Sequence, residues 1–293
     1  MAVLIALLAA AAYAASSVLE QRAAREVPDE LSMRPGLLWR LFRRPMWLAG
    51  AAADWTGFGL QAAALGMGSL IVIQPLLCTG LLFALPIGAA WQGRRLGRRD
   101  WIAAIALSLG LAVFLVVGDP TEGKDFASTH AWVLAAVVIG PAIAVCTIAG
   151  MRTRNTSRAV LLALATALIY SLTAVLTKSA VTELGEGWEA FFTSWEPYAG
   201  VAAGALALLV NQSAFQAGDL QASLPMLTAA EPIVGCVLGY LMLDELLTAS
   251  GALEWTAVVV AAVVIVGAVV TLSMSAARHE AALVETDPEL TEG

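Results

Sequence analysis

The chain has 293 residues, of which 59% are hydrophobic and 13% are charged, with a formal net charge of -7. Soluble domains carry about 25% charged residues, and a soluble protein this apolar would expose large aggregating patches. The composition therefore excludes a soluble globular protein and predicts an all-α polytopic membrane protein. The charges lie in loops and in an acidic C-terminal segment, and no basic surface indicates a nucleic-acid partner.

A membrane-spanning helix needs about 20 mostly apolar residues, and nine stretches meet this requirement. In chain order they are 2–22, 46–66, 69–91, 100–118, 131–151, 158–180, 198–214, 221–242 and 252–275. The second and third stretches are so close that residues 66–69 must form a very tight turn. The links 23–45 and 181–197 mix aromatic or apolar residues with charges, which is typical of segments in the interface plane.

The basic residues define the orientation of these spans. With nine spans, 14 of the 16 Lys and Arg residues fall on one side, in the loops after the first, third and fifth spans and in the tail. The positive-inside rule then places the N-terminus outside and the C-terminus in the cytoplasm. Glu20 and Lys178 are predicted to snorkel from span ends to the interface, and Asp244 and Glu245 to lie in a solvated outer loop.

The chain repeats itself at an offset of 150 to 157 residues. Gly68, Leu70 and Pro75 recur as Gly218, Leu220 and Pro225, and Tyr13 recurs as Tyr170. An odd number of spans separates the partners, so they cross the membrane in opposite directions, as in inverted-repeat transporters. The predicted organisation is 4+1+4. It comprises a first repeat (1–118), a connector with the fifth span (119–157), a second repeat (158–275) and a disordered acidic cytoplasmic tail (276–293).

Two carboxylates lie inside predicted spans. Glu231 is near the middle of the eighth span, and Asp54 is in the second span on a face of small and polar residues. A charge at mid-membrane costs at least about 3 kcal/mol, so both are candidate substrate- or ion-binding groups. The alternatives are a protonated packing glutamate and a structural partner for a neighbouring helix.

Amides and prolines extend this candidate site. Gln61 and Asn211 are related by the repeat, so they are expected to approach each other and either bind a substrate or join the two halves. Gln74 and Gln212 are weaker candidates. Pro75 and Pro225 are expected to break or kink the third and eighth spans near their starts, and Pro232 to free the carbonyl of Thr228. The alternative is that Pro75 and Pro225 are ordinary first-turn prolines.

No motif indicates catalysis. Cys78, Cys146 and Cys236 lie in separate apolar runs and are expected to be packing residues. The two histidines lie in a loop and in the tail, and the common hydrolase, protease and phosphate-loop patterns are missing. We therefore expect no enzyme and no cofactor, and the sequence identifies no metal motif.

The motifs resemble those of the drug/metabolite transporter superfamily. The stretch 64–70 followed by Gln74-Pro75 is similar to the phrase that opens a helix in EamA-like members, and 243–248 is similar to their helix-end signature, with Asp244 where glycine is usual. In the first half, residues 93–96 take that place and contain no acid. The nine-span layout with an outside N-terminus looks more like the branch assigned to magnesium transport. The resemblance implies the 4+1+4 arrangement.

The functional prediction is a secondary transporter of a small solute in the plasma membrane. It works by alternating access around a midplane site of Glu231, Asp54, Gln61 and Asn211, with Pro75, Pro225 and Pro232 as helix breaks. A first alternative is a divalent-cation pathway for Mg²⁺, since these side chains offer oxygen ligands. A second is a non-transporting scaffold or lipid-carrier flippase accessory. The partners are the solute or ion and the lipid bilayer, and the oligomeric state is open between monomer and homodimer.

Overall fold

The computed structural model of the protein describes residues 1–25, 44–91, 96–215 and 220–286. These ranges form eleven helices and no β-strand. The helices are α1 (Ala2–Arg25), α2 (Pro45–Leu65), α3 (Leu70–Leu77), α4 (Gly80–Trp91), α5 (Arg98–Gly118), α6 (Thr129–Arg152), α7 (Asn155–Glu186), α8 (Trp188–Thr193), α9 (Glu196–Phe215), α10 (Leu220–Leu243) and α11 (Ala252–Thr286).

Within the described residues, seven segments are long and apolar enough to cross a membrane. They are Ala2–Leu19, Leu70–Ile87, Arg98–Gly118, Thr129–Arg152, Thr156–Glu186, Pro225–Leu243 and Ala252–Ser275. The prediction of an all-α, multi-pass membrane protein is therefore confirmed. The second and seventh predicted spans correspond to α2 and α9, which have 21 and 20 residues. Both are less apolar because they carry residues such as Asp54 and Asn211, and the full count of nine spans stays a prediction.

Local sequence signals set several helix ends. Pro45 occupies the first turn of α2, where its missing N–H group is not needed. The Asp100 carboxylate accepts a hydrogen bond from the Gly97 N–H at 3.0 Å, which closes the start of α5. Ser128 caps α6 by accepting from the Ala131 N–H at 3.2 Å. The predicted tight turn at 66–69 is confirmed, since α2 ends at Leu65 and α3 begins at Leu70.

The third predicted span is interrupted, whereas the eighth is not. α3 ends at Leu77, the two turn residues Cys78 and Thr79 follow, and α4 begins at Gly80. Pro75 lies inside α3, two residues before the helix ends, and its missing N–H leaves out the bond to the carbonyl of Ile71 on the other side of the proline. α10, however, runs without a break through Pro225 and Pro232. The prediction of a break or kink at Pro225 is therefore wrong for the break, because α10 continues after this proline, and the kink stays a prediction.

The packing follows a regular pattern. α1 packs on α2 and α4, and α7 packs on α9 and α10, while α5 packs on α11 and α3 on α10. One apolar cluster joins α1, α3, α6, α7 and α10, a second joins α3, α4, α5 and α11, and a third joins α7, α9 and α10. α3 and α10 therefore cross at the centre of the described structure.

The link 181–197 is mostly helical, since α7 reaches Glu186 and the short helix α8 follows. Trp188 stacks on Phe192 with ring centroids 6.0 Å apart. The matching link 23–45 lies largely outside the described residues. At the C-terminus α11 extends to Thr286 and so includes the start of the segment predicted as a disordered tail; residues 287–293 lie outside the described ranges.

Candidate functional site

A tyrosine and an amide form the first part of the site. The Tyr13 hydroxyl on α1 donates a 2.6 Å hydrogen bond to Gln61 Oε1 on α2. The Tyr13 ring lies against Gly57, where an added Cβ would come within 2.9 Å of the ring. Asp54 and Gln61 lie one turn before and one turn after Gly57, so they share its helix face. The small, polar face predicted for α2 is therefore covered by Tyr13.

Glu231, the second carboxylate, lies near Tyr13 although it belongs to the other half of the chain. Charges on Asp54 and Glu231, together with the Tyr170 hydroxyl, lie close enough to Tyr13 to interact with it electrostatically. Asp54 is exposed and Glu231 is half-buried, so neither carboxylate is sealed in the core. We call Tyr13, Asp54, Gln61, Tyr170 and Glu231 the central polar cluster. The sequence predicted three of its members, while the tyrosines were visible only as a repeated pattern.

α10 presents Glu231 from a face that packs inside the protein. Gly235 and Gly239 follow Glu231 at helical spacing and are buried. An added Cβ at Gly235 would lie 2.6 Å from Gln74 Cγ on α3, and one at Gly239 would lie 3.1 Å from Ile71. The backbone carbonyl of Glu231 accepts from the Ser171 hydroxyl of α7 at 3.0 Å. These contacts fix the helix that carries the carboxylate.

The other predicted amides occupy different positions. No hydrogen bond joins Gln61 and Asn211, both of which are described. Among the described residues, neither the buried Asn211 Oδ1 atom nor the buried Gln74 Nε2 atom has a hydrogen-bond partner. The side chain of Gln212 lies outside the described residues. Asn211 thus offers an unused acceptor, and Gln74 an unused donor.

Two cysteines face the carbonyls that prolines set free. Pro75 cannot bond to the carbonyl four residues earlier, and that oxygen, on Ile71, lies 3.8 Å from Cys236 Sγ. Pro232 likewise frees the carbonyl of Thr228, which lies 4.0 Å from Cys78 Sγ. A thiol is a weak donor, so each contact satisfies the carbonyl only modestly. The expected packing role of these cysteines therefore includes a polar contact that the sequence did not reveal.

A buried ion pair lies at the N-terminal end of α3. It was not predicted from the sequence. Lys178 Nζ on α7 lies 2.8 Å from Glu245 Oε1, and the two side chains are 4% and 0% exposed. The same carboxylate accepts from the N–H groups of Leu70 and Ile71 at 2.7 and 2.8 Å, and so caps α3. The prediction that Lys178 snorkels and that Glu245 is solvated is wrong. Lys178 gains a buried partner, and Asp244 turns the chain inward with a left-handed φ of 53°.

The loop between α5 and α6 covers this ion pair. The Thr121 N–H donates to the Leu246 carbonyl at 2.8 Å, and the Lys124 N–H donates to the Leu243 carbonyl at 2.5 Å. An added Cβ at Gly123 would lie 2.7 Å from the Glu245 nitrogen. Glycine is therefore required where the loop crosses Glu245. We call Lys178, Glu245 and the first turn of α3 the α3 latch.

The acidic, cysteine and histidine side chains are the ones that could form a metal-binding cluster. Across the described ranges, no three of them come together in a way that would hold a metal ion. Oxygen ligands near Glu231 would have to come from amides, hydroxyls or carbonyls instead.

The chain was compared with known proteins. No family model matches it, and no solved structure matches it. An uncharacterized protein of Corynebacterium glutamicum is 33% identical over 279 residues, which cover 93% of this chain and 94% of the relative. The chain belongs to the same family as that protein. The likeness extends over nearly all of both sequences.

Proposed function

We propose that this protein is a secondary transporter that carries a small solute across the plasma membrane by alternating access between two inverted repeats. The observation that carries the proposal is the central polar cluster. Two carboxylates from different halves of the chain, Asp54 and Glu231, both interact electrostatically with Tyr13 among largely apolar helices. A carboxylate at that depth is costly unless it has a use or a partner, and neither forms an ion pair with any described residue.

Contacts between repeat-related positions support the inverted repeat. Cys78 and Thr228 are separated by 150 residues, which is the offset of the repeat around Pro75, and they touch. Around Asp100 the offset is 154, which pairs Gly110 with Val264. An added Cβ at Gly110 would lie 3.5 Å from Val264. Equivalent positions touch each other only where they flank a two-fold axis, so these two contacts suit an axis between α3 and α10 and between α5 and α11.

The helix pairs have the same relation. α1 packs on α2 and α4 in the first half, and α7 packs on α9 and α10 in the second. This matches the 4+1+4 arrangement of the drug/metabolite transporter superfamily, in which α6 is the connector. We extend the proposal to nine spans, with α2 and α9 as the two less apolar ones, an outside N-terminus and a cytoplasmic C-terminus.

In this mechanism Glu231 is the coupling or cation-binding carboxylate. Its site joins an aromatic hydroxyl, an amide and a second carboxylate, so binding a cation or a proton changes the local charge. Tyr13 links Gln61 to the two acids and holds the α1 and α2 side of the central polar cluster. Substrate groups would then be oriented by the amides, with the Asn211 Oδ1 atom as an unused acceptor.

The α3 latch closes the end of the molecule that the proposed orientation places outside. Glu245 and Lys178 belong to the second half, whereas the α3 N–H groups belong to the first. An outward-open state must therefore break the bonds from Glu245 to α3. The ion pair remains within the second half, so Glu245 keeps a partner throughout.

The test is flux in proteoliposomes. A thermal-shift screen of metabolites and divalent ions supplies the solutes, and each hit is assayed with wild type, Glu231→Gln and the control Glu189→Gln, which neutralises an exposed carboxylate on α8. We expect Glu231→Gln to abolish flux while the protein still inserts and elutes as wild type does. Wild-type flux in Glu231→Gln would refute the role of Glu231. Flux of Mg²⁺ alone would favour the divalent-cation alternative, and no flux of any hit would favour a scaffold.

A further inference from the structure

An apolar groove opens along one side of α5. It has a volume of about 350 Å³ and lies between α4, α5 and α11, with Leu82, Pro86, Trp101, Ile105, Leu109 and Leu272 among its walls. Trp101, Ile105 and Leu109 are 57%, 57% and 62% exposed. In a membrane protein this groove faces lipid, and a narrow apolar groove of this kind fits a hydrocarbon chain rather than a polar solute.

Basic residues lie at one end of this groove. Arg98, Trp101, Ile105 and Leu109 are spaced by three, four and four residues, so Arg98 lies on the groove face of α5. Arg98 and Arg99 are exposed and form no ion pair with any described acid. The nearest carboxylate, Asp100, is buried and accepts from the Gly97 N–H at 3.0 Å. Asp100 also lines the groove, but its carboxylate is held by the Gly97 N–H, so an anion at this end would meet two arginines that no described acid pairs with.

The distance from Arg98 to the far end of the groove at Leu109 is similar to the depth of one membrane leaflet. Residues 98 to 109 rise by about 17 Å along a helix. Half of the hydrocarbon core of a bilayer is about 15 Å. A chain that fills the groove from Leu109 to Trp101 therefore ends at the level where a phosphate group meets Arg98.

We propose that this groove is a binding site for one anionic phospholipid, taken from the leaflet on the arginine-rich side. One acyl chain lies along α5 between α4 and α11, and the phosphate contacts Arg98 and Arg99. Guanidinium groups bind phosphate through paired hydrogen bonds, which is the reason for an anionic headgroup. Each arginine near an anionic surface contributes a factor of about five in affinity. The site is separate from the central polar cluster and does not depend on the transport proposal.

The experiment is native mass spectrometry of the full-length protein released from detergent. The protein is mixed with phosphatidylglycerol or phosphatidylcholine of identical acyl chains, and the bound fraction is measured as lipid concentration rises. We expect wild type to bind one phosphatidylglycerol at least tenfold more tightly than phosphatidylcholine. Arg98→Ala/Arg99→Ala should reduce this preference to about twofold or less. Ala104→Phe, which fills the groove, should weaken both lipids.

The control is Arg152→Ala/Arg154→Ala, which removes two exposed arginines predicted to lie on the same membrane side but away from the groove. It should keep the wild-type preference. Equal binding of the two lipids to wild type would overturn the proposal without any variant. A loss of preference in the control as large as that in Arg98→Ala/Arg99→Ala would also overturn it, since binding would then follow overall charge.

Discussion

The α3 latch makes a quantitative prediction about stability. Glu245→Gln leaves the Lys178 ammonium group, which is 4% exposed, without an opposing charge. Breaking a buried ion pair from one side costs about 3–5 kcal/mol, because the remaining charge stays desolvated. The amide also replaces a charged acceptor at the start of α3, where two N–H groups lie 2.7 and 2.8 Å from the carboxylate. We expect the midpoint of thermal unfolding in detergent to fall by about 10 °C.

Two further variants separate charge from general damage. Lys178→Met/Glu245→Gln removes both charges and should recover most of the lost stability, because a neutral pair carries no buried charge. Lys124→Gln breaks the ion pair between Lys124 and Asp244 in the same outer region, where the side chains are 65% and 58% exposed. An exposed pair contributes less than about 1 kcal/mol, so this midpoint should change by no more than about 3 °C. The reasoning fails if Glu245→Gln is no more damaging than Lys124→Gln.

Two other substitutions test contacts of the described structure. Tyr13→Phe removes the donor to Gln61 but keeps the ring, so it should cost about 1 kcal/mol of stability and reduce flux in proteoliposomes; unchanged flux would remove Tyr13 from the site. Gly123→Ala places a Cβ 2.0 Å from the Leu243 carbonyl oxygen and should cost at least about 2 kcal/mol, measured as the thermal midpoint. Gly251→Ala is its control, because no atom lies within 4 Å of the added Cβ, and equal effects of the two substitutions would contradict the close crossing of Glu245.

Sequence reasoning identified the features that depend on local composition. Runs of apolar residues predicted the spanning helices, and the two glycines between residues 65 and 69 predicted the tight turn. A carboxylate within an apolar run is equally visible, so Glu231 and Asp54 were found. The contact between Tyr13 and Gln61 was not predicted, since no spacing rule links residues 48 positions apart.

The features that depend on contacts across the chain were not found. Lys178 and Glu245 are 67 residues apart, and each looks solvated when it is read against its own neighbours. Hydropathy predicts that a charged residue near a span end is exposed to solvent, even when the fold provides it with a buried partner. Prolines show the same limit. The helix that contains Pro75 ends two residues later, whereas the helix that contains Pro225 continues. This difference depends on packing against other helices and is not visible in the local sequence.

The crossed contacts of Cys78 and Cys236 have a mechanical consequence. Each proline-freed carbonyl on α3 or α10 faces a thiol from the opposite side of the crossing, at 3.8 and 4.0 Å. Thiols are weak donors, so the oxygens are accommodated without fastening the two helices to each other. A hydroxyl in either position would form a shorter and stiffer link. The thiols therefore shield these backbone oxygens without adding a strong hydrogen bond that would have to break if the two helices moved relative to each other.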